Sequence, residues 1–397
     1  MKFGRDLDCL GESKTFCGDP DKETRGLREQ HAGIGCTAQS MIDYFFVVGG
    51  FGMIRQVEVI RAILLIALLF GAAWGQTEPR RIGSIDFYGY AGLNLEQIKS
   101  ALPLHVGDLY PSPFETIEGI NKAVTSVIGR PPTDVSPVCC DAQGNYMIYI
   151  GLPGTSIKHT EFNPVPTGST HFPPEIVQLY EQTMDANSAA VLKGNAREDT
   201  SKGHALSISD STLRAKQLAV RAYAIQNEKL IRDVLDSSSD ERQRIVAAYL
   251  LGYARQSRQQ LVYLVRASHD ANETVRNNAT RALGVLAESS PRVAARIPAG
   301  GFIRMLSSGS WTDRNKATWV LISLTKSRDP KLLAQLRSEA LVSLLEMARW
   351  RSSGHAYDAR ILLARIAGIE EKRAEQLANG DNIDEILKSL QLGGSLP

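Results

Sequence analysis

One short pattern recurs three times in the second half of this chain. The stretches "QRIVAAYLLGYA" (243–254), "VRNNATRALGVLA" (275–287) and "DRNKATWVLISLT" (313–325) align without gaps. Arg244, Arg276 and Arg314 hold one position, Ala247, Ala279 and Ala317 the next, and Leu251, Leu283 and Leu321 a third. Weaker copies lie at 216–224 and 360–369. Between them run apolar-periodic segments such as "RQQLVYLVRAS" and "EALVSLLEMARW". A period of this length, built from helix-forming residues, predicts stacked helical hairpins. One hairpin cannot bury its own apolar stripe, so neighbours must stack. The small alanines let helices approach closely, and the leucines fill a continuous core. About four or five such units fit within 211–391.

The phrase "DANETVRNNATRALGVLAE" resembles a HEAT repeat, with Asp270, Val275, Arg276, Ala279, Ala282, Leu283, Gly284 and Leu286 on its core pattern. The resemblance implies an α-solenoid with an extended surface for partners. The repeated arginines and aspartates read first as ion pairs and caps within or between repeats. Arg244, Arg276 and Arg314 are also the candidate partner-binding residues, together with Trp311 and Trp350, which fall near hairpin ends.

Ahead of the repeats, residues 81–152 read as a small α+β unit. "IGSIDFYGY" (82–90) is strand-like. A helix over 94–102 starts at Asn94, and a second over 112–129 has Pro113 just inside its start and Gly129 as its stop. "DVSPVCC" and "NYMIYIGL" flank the turn "DAQG", a hairpin. This β-α-α-β-β order resembles a POTRA (polypeptide-transport-associated) module, with Leu102, Leu104, Gly107, Asp108 and Tyr110 on its motif. That likeness implies a module on the far side of a membrane that binds other polypeptides, often by adding a strand at a sheet edge. Residues 153–210, rich in Pro, Gly, Thr and Ser, read as a linker with one helix over 175–194. The expected fold is therefore mainly α: a HEAT-like solenoid over 211–391 preceded by a POTRA-like domain.

The front of the chain predicts its compartment. From Met53, Arg55 and Arg61 precede an unbroken apolar run, Ala62 to Phe70, and small residues Ala73 and Gly75 follow. That is the pattern of a secretory signal peptide over 53–75, cleaved before Gln76. The run is short for a span, which needs roughly 20 residues; an uncleaved anchor over 54–75 is the alternative, and only then would the membrane itself be a partner. Residues 1–52 read as a mis-called start or a disordered leader.

Catalytic chemistry leaves no trace. Nucleotide, hydrolase and metalloprotease motifs are missing, and the seven histidines are scattered. No catalytic, cofactor-binding or metal site is expected, and no cofactor. Cys139-Cys140 should place one thiol inside and one outside on a strand. The sequence thus predicts an exported, non-enzymatic scaffold, periplasmic in a bacterium, with envelope proteins as partners. A polyanion-binding surface is the alternative: residues 210–391 carry 28 Lys+Arg against 20 Asp+Glu, 21 of them Arg. Nucleic acid is not expected on the export reading. A repeat-fold enzyme is a third reading, by fold analogy alone.

Overall fold

A computed structural model describes residues 80–380 and 383–390. The segments 1–52 and 53–75, with the start-site and signal readings that fall on them, lie outside the described residues. Among those residues are fifteen α-helices and two small sheets. No described helix is long and apolar enough to cross a membrane.

The first sheet forms from β1 (Ile82–Tyr88), β2 (Asp134–Cys139) and β3 (Tyr146–Gly151), in the order β1-β3-β2. β1 runs parallel to β3, and β2 antiparallel to it. Two helices connect β1 to β2. In α1 (Leu95–Ala101), the Asn94 side chain accepts from the Gln97 N–H. In α2 (Pro113–Ile128), Ser112 and Glu115 form a reciprocal capping box, and Gly129 ends the helix at φ 72°. The β2–β3 hairpin closes on Asp141, whose carboxylate accepts from the Gln143 and Asn145 N–H groups. Asn94, the Pro113 start, the Gly129 stop and the Asp-Gly turn were expected from the sequence; the Ser112–Glu115 box is an addition.

β3 is buried on both faces, which is why it reads as a continuous apolar run. Ile148 and Ile150 pack with Ile98, Leu102, Ile120 and Val124 under α1 and α2. Met147 and Tyr149 turn the other way, with Tyr88 and Val138, into the core of the large helical region. The sheet is thus the middle layer between two helices of its own and the helices that follow.

After α3 (Pro174–Leu192) and a minimal hairpin of β4 (Glu198–Asp199) and β5 (Leu206–Ser207), the chain is helical. One row comprises α4 (Ser211–Gln226), α6 (Glu241–Leu251), α8 (Glu273–Ser289), α11 (Trp311–Leu324) and α13 (Ser353–Ile366), each packed on the next. A second row alternates with it: α5 (Glu228–Ser237), α7 (Arg258–Ala267), the short α9 (Pro291–Ala294) with α10 (Ala299–Met305), α12 (Pro330–Ala348) and α14 (Glu371–Ala378). A last helix, α15 (Asp384–Ser389), packs on α13. This two-row arrangement is compatible with a helical-repeat stack. Close approach is built in: a Cβ on Gly284 of α8 would sit 2.8 Å from the Trp319 ring of α11.

Residues 153–173, expected to be a linker, instead lie along the loops of the stack. Lys158 donates its N–H to Ser307 O, Asn163 to His269 O, and Ser239 donates to Gly168 O. Phe172 then donates to the Gln243 side chain. Backbone carbonyls carry most of these bonds, so a polar, proline-rich sequence forms them as well as any other. The described residues belong to one compact unit.

Candidate functional site

The repeated arginines sit at the same place in α6, α8 and α11 and are almost fully buried, at 1%, 4% and 0% exposure for Arg244, Arg276 and Arg314. A buried guanidinium needs a full set of acceptors. Arg244 makes a bidentate pair with Asp270, at 2.9 and 3.1 Å, and donates to the carbonyls of Ser238 and Ser239. Arg276 repeats this one unit on: Asp313 at 2.9 and 3.0 Å, then the carbonyls of Asp270 and Ala271. Arg314 donates to Ser308 O at 2.7 Å and to Glu346 at 3.2 Å. Each arginine therefore pins the loop that starts its own helix; Arg244 and Arg276 take their acid from the start of the next unit, and Arg314 takes its acid from α12, the helix that follows its own. Burial pushes the Asp313 carboxyl up from its ordinary value, against the pull of Arg276 and Ser308. Burial likewise lowers Arg314, which Glu346 opposes.

Glu346 is the point where stack and sheet meet. It lies near the end of α12, 2% exposed. Its carboxylate accepts from the N–H groups of Gly89, Tyr90 and Ala91, at 2.7, 3.0 and 3.2 Å, and from the Ser156 hydroxyl at 2.6 Å, besides Arg314. Three consecutive N–H groups after a strand form an anion-binding concavity, filled here by a side chain of the same chain. Around it, Trp311 stacks on Tyr149 at 5.0 Å, and Trp350 meets Tyr149 and Tyr88 edge-on. The Trp350 indole donates to Phe87 O at 3.1 Å. Asp134 of β2 accepts from the Tyr88 hydroxyl, the Ser136 hydroxyl and the Trp311 N–H. Burial pushes the Asp134 carboxyl up, with Glu273 adding to the effect. Burial also raises Asp86, against the Arg351 N–H that donates to it. His355 of α13 bonds the Tyr149 hydroxyl through Nδ1.

All five residues expected as partner contacts are thus interior. Trp311 and Trp350, expected near a surface, are 0% and 1% exposed. The ends of hairpins are usually wet, but these two ends are covered by the sheet. The five residues are brought together in part. Trp311, Trp350 and Arg314 share the sheet joint, and the Arg314 guanidinium lies over the Tyr88 ring at 4.8 Å. Arg244 and Arg276 stand in the middle of the stack, with Phe162 of the strap formed by residues 153–173 lying on Arg276 at 4.0 Å. Cys139 and Cys140 also depart from expectation: both are half-buried and their sulfurs are joined, with the Arg80 guanidinium donating to each.

A second buried polar group lies at the front of the stack. Glu198 of β4 pairs with Arg281 of α8 and accepts from Gln217. Tyr249 and Tyr253 flank a small recess there with Ala205. Burial pushes Tyr253 up to about 12 and Tyr249 well above its usual range, so both phenols stay protonated at neutral pH. Sequence reading passed over Glu198, Arg281 and Glu346. Only its alignment with Trp319 in the repeat signals that Arg281 faces inward; nothing local marks the two glutamates. Among the described residues, no group of three or more His, Cys, Asp or Glu side chains could hold a metal ion. No protein-family model matches this chain, and no curated protein matches it.

Proposed function

We propose that this chain is an exported, non-enzymatic scaffold that binds protein partners. Its helical stack is read as a HEAT-like solenoid and its α+β unit as a POTRA-like module. The observation that carries the reading is a run of exposed apolar side chains on that module. Val106, Leu109 and Phe114 are 47%, 52% and 73% exposed within nine residues of chain. Contiguous exposed apolar surface marks interaction sites, and these three side chains lie close along the chain. β2 supports it as an edge strand that, among the described residues, pairs only with β3, although Pro137 leaves β2 without one N–H to donate to an added strand. The strap and the sheet joint give the stack a fixed frame on which to present these surfaces.

The test places a photo-crosslinking residue at Phe114 in cells that express the chain from Met53. The reading predicts one dominant crosslinked envelope protein, lost when Val106 and Leu109 become serine. Diffuse crosslinking that ignores both changes would contradict it. Determining the N-terminus of the same product tests export: a start at Gln76 is expected.

A further inference from the structure

Charge is distributed unevenly along the helical region. Residues 255–310 contain eight arginines, no lysine and three acids. Arg276 and Arg281 are taken up by Asp313 and Glu198. Arg255 and Arg266 lie against Glu228 and Asp236. The remaining four, Arg258, Arg292, Arg296 and Arg304, are exposed and have no acidic partner among the described residues. The three acids do not offset them. Asp270 is buried on Arg244, Glu273 accepts from Ser310 and Thr312, and Glu288 is half-buried beside Thr200.

These four lie on neighbouring second-row elements. On α7, Arg258, Val262 and Arg266 are spaced by four residues and all exposed, so they share one face. Gly301 of α10 abuts His269 just after α7; a Cβ there would lie 2.5 Å from the imidazole. Arg304 stands one turn further along α10, and Arg292 and Arg296 lie on and after the short α9 that leads into it. Exposed guanidinium groups without acidic partners, three of them within 292–304 beside the end of α7, fit a surface of phosphate groups.

We propose that the outer face of α7, α9 and α10 docks on a bilayer surface bearing anionic phospholipids. Two features favour lipid over nucleic acid. Val262, 56% exposed between two arginines, offers an aliphatic side chain to the headgroup boundary. No aromatic residue of 255–310 is exposed for base stacking: Phe302 is buried, and half-buried Tyr263 lies under Arg232. On the export reading proposed above, the apolar run Ala62 to Phe70 would bring the chain to a membrane.

The full chain is titrated with vesicles of phosphatidylcholine alone and of phosphatidylcholine with phosphatidylglycerol. The readout is the ratio of the two affinities, which cancels any contribution of the 62–70 run. Three chains are compared: the parent, Arg292→Gln/Arg296→Gln/Arg304→Gln, and a control, Lys122→Gln/Lys193→Gln/Lys372→Gln, with the same charge change on exposed sites. Each basic residue near an anionic surface contributes roughly fivefold, so the arginine variant should lose on the order of a hundredfold in that ratio. The control should stay within a few-fold, and the preference of the parent should collapse at high salt. Equal affinity of the parent for both vesicles, or an equal loss in both variants, overturns the proposal. So does arginine-dependent capture of a single-stranded oligonucleotide without any preference for anionic vesicles.

Discussion

Arg244 and Arg276 join one unit of the helical stack to the next and reach no acid outside it. Arg314, at the same place in the repeat, shares its acid with three backbone N–H groups of the α+β module. The middle of the stack and its sheet-bearing end therefore use one repeated residue in two ways. In the middle, the pair is self-contained: two hydrogen bonds between arginine and aspartate, two more to a loop. At the end, Glu346 has five donors, four of them outside the helical rows. A repeat can thus become a docking site for another module by changing where its acid sits, with the arginine unchanged.

Glu346→Ala is the change expected to break this contrast most. It strips the acceptor from Gly89, Tyr90, Ala91 and Ser156 and leaves Arg314 buried without its acid. Losing one partner of a buried charge pair costs about 3–5 kcal/mol, and the orphaned amides add to that. Urea unfolding should show a larger loss for Glu346→Ala than for Asp270→Ala, whose arginine keeps two carbonyls. Next, Trp350→Phe removes the indole donor to Phe87 O while keeping an aromatic ring at the joint. About 1–3 kcal/mol is expected, read by thermal unfolding. In the middle of the stack, replacing Arg276 and Asp313 together by Met and Leu should stay within about 2 kcal/mol of the parent, because the desolvation cost vanishes with the pair. Arg276→Ala alone should cost more than that double change.

Acid separates the two regions by a smaller amount. Glu371 of α14, held by Arg365 and Arg328 beyond the sheet joint, is lowered from 4.5 to about 2. Its contribution is present above the unfolded value and is lost as pH falls from about 4.5 toward 2. It is partly exposed, so screening limits the effect to about 1 kcal/mol or less. Glu371→Gln should flatten that stretch of the stability curve. Asp86 and Asp134 at the joint are shifted upward, so the stability they contribute rises as pH falls through their folded values. Converting Asp134 to Asn should remove part of that rise. The smallest change is expected outside the core: Arg292→Gln/Arg296→Gln/Arg304→Gln should alter folding stability by no more than about 0.5 kcal/mol per site.

The parts legible in the sequence are those encoded within a few residues. Asn94, Ser112 with Glu115, Gly129 and the Asp141 turn each act on their immediate neighbours, and each could be named without a structure. The recurring Arg, Ala and Leu positions exposed the helical rows for the same reason. Pairing across the molecule was less legible. Asp270 is 26 residues from its arginine and Asp313 is 37, so no fixed spacing announces them. Glu346 sits where the repeat pattern fades, and its main partners are amides, which every residue carries. Trp311 and Trp350 look like exposed hairpin-end aromatics because their cover comes from β1 and β3, more than 160 residues away. The strap over 153–173 reads as linker because its bonds are made by backbone, which composition does not reveal.

The central claim is that the sheet module is fixed to the stack through Glu346, and amide hydrogen exchange over Gly89, Tyr90 and Ala91 tests it most directly. The account predicts that these amides exchange as slowly as those of α11 in the parent chain and at least tenfold faster in Glu346→Ala. Fast exchange in the parent, while α11 stays protected, would show that the module is not held there and would contradict it.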